Sequence, residues 1–218
     1  MNAAKRMCTC LLAASTLAAL DGSRAETFTP APTTSFNCAT TTAVIEKLVC
    51  RDPQLLRMEK ELTRLYRLVL TDVHAVPPPD KVVDAQQFWA LERNQCAAQA
   101  QPKSCTLARY AERAYQLRQG SAIARTKDPD RLTDGPVAFR CAGLSVPLAA
   151  TFFRARPDVV YLKWGASSAS LIQMPSSADQ RYTGTDGLGE YSFWSSGNDA
   201  LFQKPGSGET HCTAEPTP

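Results

Sequence analysis

The apolar residues of this chain repeat with one period in its first half and another in its second, and the change falls across a stretch of Gly, Pro and Asp. From Phe36 to Gln119 the spacing is helical. Leu55, Met58, Leu62, Leu65 and Val69 follow one another at steps of 3, 4, 3 and 4, which makes one continuous apolar stripe with Tyr66 beside it. Asp52-Pro53 stands just ahead of that stripe. It is a helix start: the carboxylate caps free N–H groups, and proline sits where no intrahelical donor is needed. Pro77-Pro78-Pro79 stops the chain. A further helix is predicted from about Asp80 to Cys96, burying Val82, Ala85, Phe88 and Trp89, and another begins near Ser104 with Leu107, Tyr110, Ala111, Ala114 and Leu117 on one face. A short helix from about Thr42 to Val49 precedes them. Beyond residue 136 the period is two. Segments at 137–141, 144–153, 159–164, 169–174, 181–183, 191–195 and 200–203 alternate between turn residues, the pattern of a small antiparallel barrel or sandwich. Between the two regions, residues 119–136 carry Gly120, Asp128-Pro129 and Asp134-Gly135-Pro136 and read as a charged linker. The expected architecture is α+β in two domains. A disulfide-stapled helical bundle at 36–118 is followed by an antiparallel β-barrel at 137–213 and a tail at 214–218, each domain folding by itself.

The N-terminus reads as an export address. Lys5 and Arg6 precede an apolar run from Met7 to Leu20, and Ser23-Arg24-Ala25 supplies small residues for cleavage after Ala25. The run is shorter than the roughly 20 residues a membrane-crossing helix needs, so stable membrane insertion is not expected. Cys8 and Cys10 lie at its start, away from the position of a lipid-modified cysteine. Residues 26–35 are Thr- and Pro-rich and read as a flexible leader. A periplasmic or secreted mature protein is expected, beginning at Glu26.

Removing the leader leaves Cys38, Cys50, Cys96, Cys105, Cys141 and Cys212. An even number of cysteines in an exported chain points to disulfides. No C-x-x-C pair exists, and His74 and His211 do not sit at ligand spacing, so a metal site is not expected. Pairing sequence neighbours in the helical part, Cys38 with Cys50 and Cys96 with Cys105, would staple helix corners; a swapped pairing across helices satisfies the same count. Cys141 and Cys212 would tie the ends of the β region together. The mature chain keeps 21 basic and 20 acidic side chains, too even a balance for nucleic-acid binding.

Catalytic patterns are missing. There is no G-x-S-x-G elbow, no Gly-rich phosphate loop and no H-E-x-x-H. Carboxylate pairs such as Glu59 with Glu61, or Asp186 with Glu190, read as solvated faces. The chain reads as a binding protein without a cofactor. Its informative segment runs from Ser176 to Ala200, where hydroxyls and one cation fill two loops flanking aromatic strands.

Phe139-x-Cys141, Arg181-Tyr182, Phe193-Trp194-Ser195-x-Gly197 with Ala200, and Cys212 resemble the MliC family over roughly residues 137–213. The resemblance implies an eight-stranded antiparallel barrel closed by a disulfide, and inhibition of C-type lysozyme. It also implies a site. In the family pattern a Ser four positions before the Tyr gives a hydroxyl, and a Lys after the aromatic-Trp-Ser run gives a cation. Those positions are Ala178 and Ser196 here. The implied lysozyme-binding residues are Ser176, Ser177, Ala178, Arg181, Tyr182, Ser195 and Ser196, with Ser176, Ser177 and Arg181 as neighbouring substitutes. The helical part resembles a second family, the LprI-like domain, through Phe36-Asn37-Cys38, Glu46-Lys47, Cys50 with Asp52-Pro53, Gln87-Phe88-Trp89 with Arg93 and Cys96, and Cys105 with Tyr110, Arg113 and Leu117. That resemblance also implies an association with lysozyme inhibition. The other function class compatible with the pair is a non-inhibitory envelope-binding module for peptidoglycan fragments or an envelope protein.

Overall fold

Asp52 does the work expected of it and one thing more. It is the single residue between α1 (Val44–Arg51) and α2 (Pro53–Leu70). Its carboxylate accepts from the N–H groups of Gln54 at 3.0 Å and Leu55 at 3.1 Å. Lys103 Nζ lies 2.6 Å away on a helix distant in sequence. Burial works against the charged form, but Lys103 and the two backbone donors outweigh it and hold the carboxyl below its usual range. The computed structural model describes residues 34–126, 131–175 and 180–216. The export leader, its cleavage point and residues 176–179 lie outside the described residues.

Helix α3 (Pro79–Asn94) passes into a 3₁₀ turn (Gln95–Ala98), followed by α4 (Pro102–Gly120) and α5 (Ala122–Thr126). The stripe of α2 is buried throughout, as are Leu107, Tyr110, Ala111, Ala114 and Leu117 of α4. Disulfides Cys38–Cys50 and Cys96–Cys105 join sequence neighbours at the helix corners. Helix α3 departs from expectation. Val82 and Trp89 face the core, but Phe88 is 64% exposed and Ala85 only half-buried. Adjacent residues on a helix point about 100° apart, so Trp89 and Phe88 cannot share one face. The inward row is Val82, Trp89 and the buried Arg93.

The acidic pair on α2 also departs from expectation, because Glu59 and Glu61 are buried rather than solvated, at 0% and 2% exposure. Glu59 accepts hydrogen bonds from the Tyr110 hydroxyl (2.8 Å), the Ser35 N–H (2.6 Å) and the Thr63 hydroxyl (3.1 Å). Ser35, the last residue of the expected leader, is thus anchored. Arg93 Nη1 stands 3.9 Å from Glu59, while its Nη2 reaches Glu46 at 3.3 Å. The Arg93 guanidinium lies over the rings of Phe36, Trp89 and Tyr110. Burial, then the Glu59 charge, pushes the Tyr110 hydroxyl well above its ordinary value. Glu61 takes a two-pronged contact from Arg64, at 2.9 and 2.8 Å, and a hydrogen bond from the Thr133 hydroxyl.

Eight strands follow: β1 (Thr133–Cys141), β2 (Leu148–Phe153), β3 (Val159–Trp164), β4 (Ser167–Gln173), β5 (Arg181–Asp186), β6 (Gly189–Ser196), β7 (Asp199–Gln203) and β8 (Thr210–Ala214). Each pairs antiparallel with the next, and β1 pairs with β8 to close a barrel. Cys141 and Cys212 are direct partners in that closing ladder and are disulfide-bonded. The period-two pattern finds seven of the strands. It misses β8, whose Thr-His-Cys-Thr-Ala sequence buries only Cys212 and lacks the alternation a strand usually announces.

The stretch expected as a linker is largely built. Gln119 and Gly120 end α4, α5 follows, and β1 starts at Thr133. Ser121 organises the bend: its hydroxyl donates to Asp72 at 2.5 Å and accepts from the Ala124 N–H at 3.1 Å. Arg118, also buried, donates to the carbonyls of Ala124 and Gly135. The bundle and the barrel also share a core. Strand β3 is buried on both faces, with Val160 and Leu162 inside the barrel while Val159 and Tyr161 pack with the helical core beside Phe153 and Ala155. The Tyr115 and Tyr161 rings meet across this junction at 5.1 Å.

Candidate partner-binding end of the barrel

An up-and-down barrel sends alternate connections to opposite ends. The β2–β3, β4–β5 and β6–β7 connections therefore share one end. The β6–β7 connection is the tightest. Ser196 pairs with Asp199, leaving Gly197 and Asn198 as the turn. Gly197 has φ +59°, which fits the first central position of a type II′ hairpin turn. A β-carbon there would meet nothing within 4 Å, so the turn stands clear of the barrel. Ser196, Asn198 and Asp199 are exposed, and Ser195 is half-buried. The Asn198 carbonyl accepts from Ala214 N–H at 2.7 Å, which fixes the turn to the last strand.

The β4–β5 connection leaves Gln173 and returns at Arg181, with Met174 N–H donating to the Arg181 carbonyl at 2.8 Å. Ser176, Ser177 and Ala178 lie outside the described residues. Arg181 is exposed on the outer face, its guanidinium 3.8 Å from Glu209. Tyr182 points the other way. It is 2% exposed inside the barrel, with its ring 6.0 Å from Phe152. Burial pushes its hydroxyl up to about 12, helped by the Asp158 charge and opposed by Arg154. Period two explains the split, since neighbours on a strand face opposite sides. Arg181, Ser195 and Ser196 are thus presented at the surface, whereas Tyr182 is a wall-packing residue. Phe193 is fully buried, in edge contact with Phe139 at 5.8 Å.

Two features of the structure carried no sequence expectation. One is the β2–β3 connection, residues 154–158, which shares the end with the two loops above. Its Arg-Pro pair is a turn signal and nothing more in the sequence. The other is a cleft of about 550 Å³ between the N-terminal half of α4 and the strands β4 and β5. Gln101, Ser104, Glu112, Ser170, Thr185 and Asp186 line it. Its floor forms where the β4–β5 ladder, paired at Ile172–Thr183 and Gln173–Tyr182, comes to its end. Gly184 is required there: a β-carbon would come within 2.8 Å of Leu171 and 2.9 Å of the Ser170 carbonyl. Among the described residues no group of His, Cys, Asp or Glu is placed to hold a metal ion.

Comparison with known proteins agrees with this architecture. Residues 139–211 match the family described as membrane-bound lysozyme-inhibitor of c-type lysozyme. The chain is similar to Lipoprotein LprI of Mycobacterium bovis and to Lipoprotein LprI of Mycobacterium tuberculosis. Each is 28% identical over 159 residues, covering 72% of this chain and 75% of the relative. That span is too long for the barrel alone and takes in helical sequence as well. No solved structure gives a significant match. Among the described residues no helix is long and apolar enough to cross a membrane.

Proposed function

We propose that this protein is an exported inhibitor of lysozyme, of the C-type, and that it acts by occupying the enzyme's cleft rather than by catalysis. The observation that carries this reading is the match of residues 139–211 to a family of C-type lysozyme inhibitors. The barrel closed through Cys141–Cys212, with the β4–β5 and β6–β7 connections at one end, is consistent with it. The physics favours such an inhibitor. Lysozyme's cleft holds two carboxyl groups, one ionised and one kept protonated by apolar surroundings. A protein that brings hydroxyls and a cation into that cleft gains charge-assisted hydrogen bonds where water is excluded. Ser176, Ser177, Ser195 and Ser196 supply hydroxyls in this reading. The relatives are named lipoproteins, which supports a cell-envelope reading, and a periplasmic or secreted location after cleavage near Ala25 suits the three disulfides. The deciding experiment is lysis of bacterial cell walls by C-type, G-type and I-type lysozymes with and without the purified mature protein. Inhibition confined to the C-type enzyme supports the reading; full lysis by all three refutes it.

A second reading, an envelope-binding module, is favoured by one observation. The cleft beside α4 combines apolar walls from Ala108, Ala169 and Leu171 with hydroxyls, amides and two carboxylates, and no Lys or Arg lines it. Such a lining suits a neutral or amine-bearing hydroxylated ligand. Calorimetric titration with soluble peptidoglycan fragments tests this reading, and a flat titration removes it.

A further inference from the structure

The β2–β3 connection is fixed at every residue but one. Arg154 donates its N–H to the Leu132 carbonyl at 2.8 Å and pairs through its side chain with Asp134 at 3.2 Å. Ala155 is buried in the core shared with the helices. The Pro157 carbonyl accepts from the buried Gln54 side chain at 2.7 Å, and the Asp158 carbonyl accepts from the Gln173 N–H at 2.8 Å. Between these anchors Arg156 adopts φ +53°. That left-handed conformation strains any residue with a β-carbon and comes freely to glycine. The Arg156 side chain is exposed and forms no ion pair or hydrogen bond with the other described residues. Arg131, with φ +48° and also exposed, stands one residue before Leu132, across from the same loop. Among the described residues these two arginines are the non-glycine positions with positive φ. Backbone strain held in place by its surroundings is a feature that clusters at ligand-binding sites.

We propose that Arg156, seconded by Arg131, is the cation with which this end of the barrel grips an ionised carboxylate inside an acidic partner cleft. The proposal rests on the lysozyme-inhibitor reading and deepens it. The exposed residues of the β6–β7 turn, Ser196, Asn198 and Asp199, include no cation. Arg154 and Arg181 at the same end are already matched by Asp134 and Glu209. A polyanion or an anionic membrane would need many unmatched cations on one face. One or two arginines on a rigid loop suit a single carboxylate, which a guanidinium binds with two parallel hydrogen bonds. The anchors at 155, 157 and 158 give that guanidinium a fixed base. Hydrogen bonding of Asp158 to Gln173 places it beside the root of the β4–β5 connection.

The test uses the full mature chain and C-type lysozyme, with affinity measured at low and high salt. Arg156→Gly removes the cation while keeping a residue at ease with the backbone, so its melting temperature should equal or exceed the native value. Its affinity should fall about tenfold or more, the loss expected for one charge-assisted contact. Arg156→Lys should recover part of the loss, and Lys60→Gln, at an exposed site on α2, should change nothing. Lysozyme whose ionised cleft carboxylate has been replaced by its amide should bind the native protein weakly and lose no further affinity to Arg156→Gly. A native protein that inhibits lysozyme while Arg156→Gly inhibits equally well overturns this inference and leaves the inhibitor reading standing. A native protein that binds no lysozyme overturns both.

Discussion

Replacing Glu59 with glutamine should destabilise the protein by about 3 kcal/mol, although the change is isosteric and leaves the exposed surface untouched. The carboxylate is fully buried and accepts three hydrogen bonds, from Tyr110, Ser35 and Thr63, with Arg93 at 3.9 Å. An amide presents one acceptor oxygen and one donor nitrogen. Either the pair of donors from Ser35 and Thr63 or the Tyr110 hydroxyl then faces an N–H group. Each charge-assisted hydrogen bond lost or reversed costs roughly 1.5–3 kcal/mol. Breaking a buried ion pair outright costs about 3–5 kcal/mol. The present case falls toward the lower figure, because Arg93 keeps Glu46 at 3.3 Å and its ring contacts. At about 2–4 °C per kcal/mol for a chain of this size, Tm should drop by roughly 6–12 °C by calorimetry. The double variant with Arg93→Met should be less damaged than the sum of the single changes, by about 1 kcal/mol or more. A glutamine variant within about 0.5 kcal/mol of native, or strict additivity in the cycle, would show that these groups do not act as a network.

Other outcomes follow from separate features. Tyr161 and Tyr182 are both pushed up to about 12, first of all by burial. Their folded-state values exceed the unfolded one, so the stability they contribute is complete below about pH 10 and is lost as pH rises through 12. Alkaline titration followed by near-ultraviolet circular dichroism should show tyrosine ionisation and unfolding together in that window. Tyr182→Phe should leave lysozyme affinity unchanged, as measured by titration calorimetry, because the ring lies inside the barrel. Gly184→Ala should cost roughly 1–3 kcal/mol in urea denaturation through its clash with Leu171 and the Ser170 carbonyl. Ser196→Lys should tighten binding to C-type lysozyme about tenfold if the β6–β7 turn enters the cleft. Unchanged affinity would place the turn outside the interface.

The order of helices and strands was legible because local rules and packing agree along most of the chain. The α2 stripe and the Asp52-Pro53 cap point to the same helix, and each of its stripe residues is buried. Three kinds of feature were not legible. Glu59, Glu61 and Arg93 look solvent-facing by type, and only partners distant in sequence, such as Tyr110 and Thr133, make their burial tolerable. Strand β8 is held by pairing on both edges rather than by its own alternation. Residues 119–136 have the composition of a linker, yet Arg118 and Ser121 spend their hydrogen bonds organising it. The site divides along the same line. The loops carrying Ser195, Ser196 and Arg181 were visible as polar runs between strands. The strained Arg156 was not, since a backbone angle imposed by anchors on α2 and β4 leaves no trace in the residues around it.

The bond between Cys141 and Cys212 encloses six of the eight strands and every connection from β1–β2 to β7–β8. A protease that cuts the open β6–β7 turn therefore yields a nicked ring, two chains still joined covalently and still laced by the neighbouring ladders. After the cut alone the piece carrying β7 and β8 stays bonded to β1, and after reduction alone it stays attached through the β6–β7 turn. Release requires both events at once. For a nick at this turn, separation of the two pieces therefore waits on the redox state of the surroundings as well as on the protease.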